Sequence, residues 1–255
     1  MSLTDQQLDR YARHIVLKEL GGGGQMRLLQ SRVTVIGAGG IGAPVLLYLA
    51  AAGVGHLTII DDDQVSLSNL QRQILFDTED TGADKVTVAA ARLGRINPDI
   101  NLTPIKARIT RDNAASLLGG ADVIVDGSDN FMTRLAVSDT ATKLHIPLVS
   151  AAIGQFHSQI GTWRGWEADK PCYRCFVGDA HDPDDCDSCS EVGVLGAMVG
   201  LMGSFAAMEA IRVLWPFGDE ASGKLHIFDG LAPAMRTIKM PKDPACSACG
   251  QSATD

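Results

Sequence analysis

The sequence predicts an α/β fold: a Rossmann-like, largely parallel sheet with an antiparallel C-terminal portion and a structural zinc knuckle. Three observations predict it. β-Branched runs alternate with helix-like stretches up to about residue 150, a G-x-G-x-x-G turn ("GAGGIG") separates the first such strand from the helix after it, and two C-x-x-C pairs stand in the C-terminal half.

With 255 residues, 45% of them hydrophobic, the chain can bury one large core, and a single domain is expected. A net charge of −8 runs against a nucleic-acid partner, which calls for Lys and Arg clustered in excess over acids, and nothing suggests a membrane surface. The opening "MSLTDQQLDRYARHIVLKEL" has charges and amides where a leader needs apolar residues, so a cytoplasmic protein is expected. Val192 to Met208 is uncharged, but its glycines at 193, 196, 200 and 203 make it a better buried helix than a membrane span. Gly196 and Gly200 have the spacing that lets another helix come close.

Taken in order, Thr4 and Gln7 have capping-box spacing, and Leu8, Tyr11, Ala12 and Ile15 recur at helical intervals. One amphipathic helix is expected there, terminated by the glycines at 21–24. Then come a strand over 32–36, a helix over 43–52 stopped near Gly53, and a strand over 56–60. A helix over 83–96 ended by "NP", strands over 100–106 and 121–126, and a helix over 131–145 before "IPLVSAA" complete the alternation. Such units connect by right-handed crossovers into a parallel sheet. Beyond them, "IGQFHSQIGTWRG" and "KLHIFDG…MRTIKM" read as antiparallel strands flanking the glycine-rich helix.

Gly37, Gly39 and Gly42 open a helix directly after a strand, where backbone N–H groups and the helix N-terminus can meet phosphate. Asp61 ends the next strand, 19 residues beyond Gly42, where a carboxylate can accept ribose hydroxyls. Both features suit NAD as well as ATP. What separates the two is charge: a nucleotidyl transferase must stabilise a reacting phosphorus and a departing pyrophosphate. "SLSNLQRQ" supplies Asn69 and Arg72, "TGADK" supplies Lys85, and "DGSDN" supplies Asp129 and Asn130, all at or beyond the carboxyl ends of expected strands. Arg72 and Lys85 could equally be surface cations, and Asp129 could cap the next helix.

Cys172 with Cys175 and Cys246 with Cys249 form two C-x-x-C pairs, which suit tetrahedral Zn²⁺ or, alternatively, redox dithiols. Four thiolates leave no open position, so the zinc would be structural and would tie the C-terminus back to the loop before the glycine-rich helix. Tyr173 and Arg174, inside "CYRC", read as orienting this knuckle. Cys186 and Cys189 lie in a charged loop. The six histidines show no metal spacing, and His14 and His145 read as packing or surface residues.

"GAGGIG", "DDDQVSLSNLQRQ", "DK", "DGSDN", "CYRC" and "CSAC", in that order over nearly the whole chain, resemble the MoeB/ThiF/HesA family of adenylating enzymes, relatives of the ubiquitin-activating enzymes. The resemblance implies ATP-dependent adenylation of the C-terminal glycine of a small ubiquitin-like sulfur carrier with a Gly-Gly tail, in molybdopterin or thiamin biosynthesis. It implies that Asp61 binds ribose and that Asn69, Arg72 and Lys85 bind the phosphates, with Ser68 and Asn130 in the same nucleotide-binding set. Asp129 would hold Mg²⁺ and Gly40 would line the pocket. Arg13, in "RYARHI", matches an arginine that family members supply from a neighbouring subunit, so a homodimer is implied. Residues 1–30 would be a helical arm, 31–150 the nucleotide-binding half, and 151–255 the carrier-binding and zinc-binding half of one domain.

By the same resemblance Cys189 falls where the family often has a cysteine of the carrier's sulfur chemistry, although the acids at 182, 184, 185, 187 and 191 would raise its pKa. An incidental loop thiol is the alternative. Two other functions stand beside adenylation. An NAD-dependent oxidoreductase would use Gly37 to Asp61 but leave Arg72, Lys85, Asp129 and the cysteines unemployed, and a non-catalytic carrier-binding partner would have no need of those charged residues.

Overall fold

The computed structural model describes residues 3–179 and 193–250. Thr4 caps α1 (Asp5–Arg10) through the expected reciprocal bonds with Gln7. The single expected helix is two, because the chain turns at Tyr11 (φ −102°, ψ 13°) before α2 (Ala12–Ile15). The reason is tertiary: Tyr11 is buried, its ring lies where a Cβ on Gly53 would be, and its hydroxyl accepts from Asn97 Nδ2 at 2.8 Å. The glycines at 21–24 do not terminate a helix; they are the first turn of α3 (Gly21–Gln30). A Cβ on Gly24 would stand 2.7 Å from Leu20 Cδ1 and 3.1 Å from the Trp215 ring, so packing space, not backbone freedom, accounts for that glycine. Trp215 is fixed there by its Nε1, which donates to the Glu19 carbonyl.

The alternation then runs through β1 (Arg32–Ile36), α4 (Gly42–Ala51), β2 (His56–Ile60), α5 (Lys85–Ile96), β3 (Asn101–Ile105), α6 (Ala114–Leu118), β4 (Val123–Asp126), α7 (Phe131–Leu144) and β5 (Leu148–Gly154), as expected except for the short helix α6, which the sequence reading did not anticipate. These five strands are parallel in the order β3-β2-β1-β4-β5. Strand periodicity sorts the core. Val33, Val35, Leu57, Ile59, Val123 and Val125 face α4 and its neighbours on one side, while Ile36, Ile60, Ile124 and Leu148 face α6 and α7 on the other.

The sheet continues antiparallel through β6 (His157–Trp163), β7 (Lys224–Asp229) and β8 (Ala234–Lys239), as expected. Between β6 and β7 lie α8 (Tyr173–Val177) and α9 (Gly196–Leu214). By length and composition α9 is long and apolar enough to cross a membrane, yet half of it is buried against α4, β5 and β6. Its close approaches are at Gly196, where a Cβ would meet the Gln71 carbonyl at 2.3 Å, and at Gly203, against Pro44 and the Ile41 carbonyl. Gly200 has open space around it, so of the Gly196/Gly200 pair only Gly196 lies at a close approach within the chain, and there to a loop and not to a helix.

Candidate active site and metal centre

The chain turns one way from β1 to β2 and β3 and the other way to β4 and β5, so the loops after β1 and β4 straddle the switch point of the sheet, where open α/β sheets bind ligands. Gly37 has φ +83°, which L side chains rarely adopt, and a Cβ on Gly42 would fall 1.7 Å from the Gly37 carbonyl oxygen. The turn is thereby folded tightly under the N-terminus of α4, whose Ala43 and Val45 amides bond back to the Gly39 and Ile41 carbonyls, so that the positive end of the helix lies against the glycine loop. Asp61 locks it in place: its Oδ2 accepts from Ala38 N at 2.7 Å and its Oδ1 from Asp63 N at 2.8 Å. Burial pushes the Asp61 carboxyl above its ordinary pKa, against the opposing pull of Lys85 and the two backbone bonds.

A cleft of about 800 Å³ opens over this turn, a size suited to a nucleotide. Gly37, Gly39, Gly40, Asp61, Asn69, Arg72, Lys85, Asp129 and Asn130 all line it. Lys85 is buried at the start of α5 and donates to Asp63 Oδ2 at 2.8 Å. Arg72 Nη2 donates to Asn69 Oδ1 at 3.0 Å and its Nη1 to the Ser68 carbonyl at 3.3 Å. Lys85 is thus a buried cation with an acidic partner, and Arg72 is a half-buried cation held by neutral partners, both on the wall of the cleft. The cap of α7 is Asn130, whose Oδ1 accepts from Thr133 N at 2.9 Å, leaving the exposed Asp129 carboxylate for the cleft.

Three expected site residues do not line the cleft. Gly42 supports the turn from beneath, and Ser68 acts through its backbone carbonyl while its hydroxyl pairs with Ser66. Arg13 is exposed on α2, held at the far end of α4 by the Tyr11–Gly53 contact, and a ten-residue helix is about 15 Å long. Its own cleft is beyond its reach. Cys189, with Cys186, lies outside the described residues.

Sequence reasoning missed several cleft residues. Asp63 holds Lys85, and Arg108 Nε donates to Asp62 Oδ2 at 3.1 Å from the loop after β3. The buried Gln73 amide lies under Gly39. Arg134 is buried below the loop after β4, donating to the Ser128 and Ala151 carbonyls and to Ser150 Oγ. "DDD" and "RQ" advertised the first and third. Arg134 sits inside an unremarkable helix, and nothing in the sequence marks it.

Cys172, Cys175, Cys246 and Cys249 gather so that their sulfurs all lie within 4.8 Å of one another. Cys172 Sγ is 3.9 Å from Cys175 Sγ and 3.6 Å from Cys246 Sγ, and Cys175 and Cys249 sulfurs are 3.4 Å apart. Tetrahedral sulfurs at a zinc bond length of about 2.3 Å are about 3.8 Å apart, so the donor set fits such an ion. Hydrogen bonding within the cluster holds Cys175 below the ordinary thiol pKa and Cys172 and Cys249 above it, so in the absence of a cation the thiols share their protons. Asp243 N also donates to Cys175 Sγ, at 3.4 Å, and Lys242 ties the same segment to the Gly165 and Glu167 carbonyls. Tyr173, expected only to orient the knuckle, lines the cleft together with Phe176 of α8.

A family model described as "ThiF family" matches residues 11–248. Over its full length the chain is 43% identical to the SAMP-activating enzyme E1 of Haloferax volcanii, covering 93% of that protein. It is 40% identical to the sulfur carrier protein ThiS adenylyltransferase of Escherichia coli K12, with 99% of each chain covered, and 39% identical to that organism's molybdopterin-synthase adenylyltransferase, covering 98% of this chain and 99% of that one. Among solved structures, E. coli MccB with MccA-N7isoASN superposes with a TM-score of 0.84 at 21% identity, over 97% of this chain and 76% of that one.

Proposed function

Since the chain belongs to the ThiF family, we propose that it is an ATP-dependent adenylyltransferase acting on the C-terminal glycine carboxylate of a ubiquitin-like sulfur carrier such as those of thiamin or molybdopterin biosynthesis. The observation that carries this reading is the convergence of Arg72, Lys85 and Asp129 on one cleft over the glycine turn. A hydride transferase has no use for that constellation.

The nucleophile needs no general base, because an α-carboxyl group with pKa about 3.5 is ionised at neutral pH. Its difficulty is approaching a polyanion. Asp61 accepts the ribose hydroxyls with the lone pairs its backbone bonds leave over. Lys85 exchanges Asp63 for phosphate oxygen, and Arg72 turns from Asn69 to the same group. A carboxylate oxygen then bonds to the α-phosphorus as the bond from that phosphorus to the bridging oxygen breaks, and the electron pair leaves with pyrophosphate. The cations neutralise the charge that accumulates on the departing group. Mg²⁺ held by Asp129 and the phosphates would share that neutralisation, since this ion binds through few carboxylates plus substrate phosphate.

Zn²⁺ in the four-cysteine cluster would be structural, and free thiols of this kind suit a reducing cytoplasm. A homodimer would bring Arg13 into the partner's cleft. Supporting it, Leu17, Tyr48 and Met208 line an apolar depression of about 550 Å³ beside α2, and Tyr48 is 57% exposed. Residues 151–255 would receive the carrier, whose Gly-Gly end must enter a narrow channel.

ATP–pyrophosphate exchange with each candidate carrier tests the reading. We expect exchange that depends on the carrier, that a carrier ending in valine fails to support, and that falls at least 100-fold in Arg72→Ala and Asp129→Ala while both variants melt cooperatively. Undiminished exchange in Asp129→Ala would remove the metal assignment, and stabilisation by NAD in place of Mg-ATP would remove the enzyme class.

A further inference from the structure

The helix of the first cysteine pair belongs to two sites at once. Cys172 and Cys175 at α8 reach the metal cluster, while Tyr173 and Phe176 line the cleft. Trp163 of β6 backs the helix, with its ring 6.0 Å from Phe176 in a stacked arrangement.

Between the two cysteines stands Arg174, only 8% exposed. Its Nε and Nη2 donate to Asp139 Oδ1 and Oδ2 at 2.6 and 2.8 Å, and its Nη1 donates to Asp179 at 3.1 Å. The bond to Asp139 is a fork-to-fork pair, whose planar geometry fixes orientation as well as distance. Asp139 is on α7, the helix that Asn130 caps and that the Asp129 loop enters. Five residues nearer the cleft on the same helix, Arg134 grips the Ser128 carbonyl of that loop. The cysteine cluster, α8, α7 and the loop carrying Asp129 are therefore joined in series by two buried guanidinium groups.

We propose that Arg174 is a positioning residue that couples the four-cysteine metal site to the cleft: by fixing α8 on α7, it makes metal at the cysteines and nucleotide at Asp129 stabilise one shared arrangement of the two helices. The inference rests on reading the cleft as the nucleotide site. Coupling of this kind is reciprocal, so if metal tightens nucleotide, nucleotide must tighten metal by the same factor. A cluster that only staples the C-terminus would raise thermal stability without any such link.

The test uses the zinc-loaded full chain. Zinc affinity is measured by equilibrium competition with a chromogenic zinc chelator, with and without saturating Mg-ATP, after Mg-ATP binding has been measured by direct titration. We expect Mg-ATP to tighten zinc about 5-fold or more in the parent protein. In Arg174→Lys, which keeps the charge but loses the fork, and in Asp139→Asn, we expect tightening below about 2-fold. Equal zinc affinity with and without nucleotide, in parent protein that binds Mg-ATP, would overturn the coupling and leave the function intact. Undiminished tightening in both variants would overturn the role of Arg174. No binding of Mg-ATP at all would strike the reading of the cleft, and this inference with it.

Discussion

At Asp61 one carboxylate does two jobs, holding the glycine turn through Ala38 and the β2 exit through Asp63. Its burial sets a testable pH dependence. If Asp61 accepts the ribose hydroxyls as proposed, the ionised form is the acceptor; burial raises its pKa above the ordinary 3.8, so Mg-ATP affinity should fall as pH drops through a midpoint above that value. Asp61→Asn should bind more weakly and lose this acid limb, whereas an unchanged limb in the variant would assign it to another group. The sequence made Asp61 legible because strand end, charge and distance from the glycines coincided. It could not reveal that Lys85 is parked on Asp63, or that Arg108 reaches over Asp62, because those pairs form between segments 22 and 46 residues apart. Asp129 shows the same limit: the sequence offered it as the helix cap, and the structure gives that cap to its neighbour Asn130.

Among the elements, those legible in the sequence are those whose local pattern and tertiary role agree. β1 and β2 match their expected bounds because alternating β-branched residues face two cores. The arm of residues 1–30 fails where tertiary contacts override local preference. Burial of Tyr11 splits one helix into two, and the four glycines form a helical turn in which Leu20 and Trp215 occupy the space a Cβ on Gly24 would need. For α7, Asn130→Ala removes the cap bond to Thr133 N and should cost about 1 kcal/mol of stability in denaturant titration, with Asn130→Asp restoring most of it. A loss within error would mean that the helix start is fixed by its neighbours, Arg134 first among them.

For the whole molecule, a mixed sheet of eight strands puts the nucleotide-type cleft at the centre, and the cysteine pairs, 74 residues apart in the chain, close the C-terminal end back onto it. The sequence showed both features but not their contact through α8, since "CYRC" gives no sign of which side its aromatic and basic residues face. The position of Arg13, outside its own cleft, makes the dimer reading testable by complementation. Arg13→Ala and Arg72→Ala should each lack exchange, and an equal mixture after subunit exchange should regain about a quarter of parent activity, because one site in each hybrid is intact. No recovery in a mixture shown to contain hybrids would place Arg13 elsewhere in the reaction. The central claim is direct attack of the carrier's carboxylate on the α-phosphorus, drawn together by Arg72, Lys85 and the ion at Asp129. The measurement that tests it most directly is mass analysis of AMP released by hydroxylamine from the product made with a carrier whose terminal carboxylate oxygens are ¹⁸O. The account predicts AMP carrying one labelled oxygen, while unlabelled AMP, or label in inorganic phosphate with ADP as the other product, would contradict it.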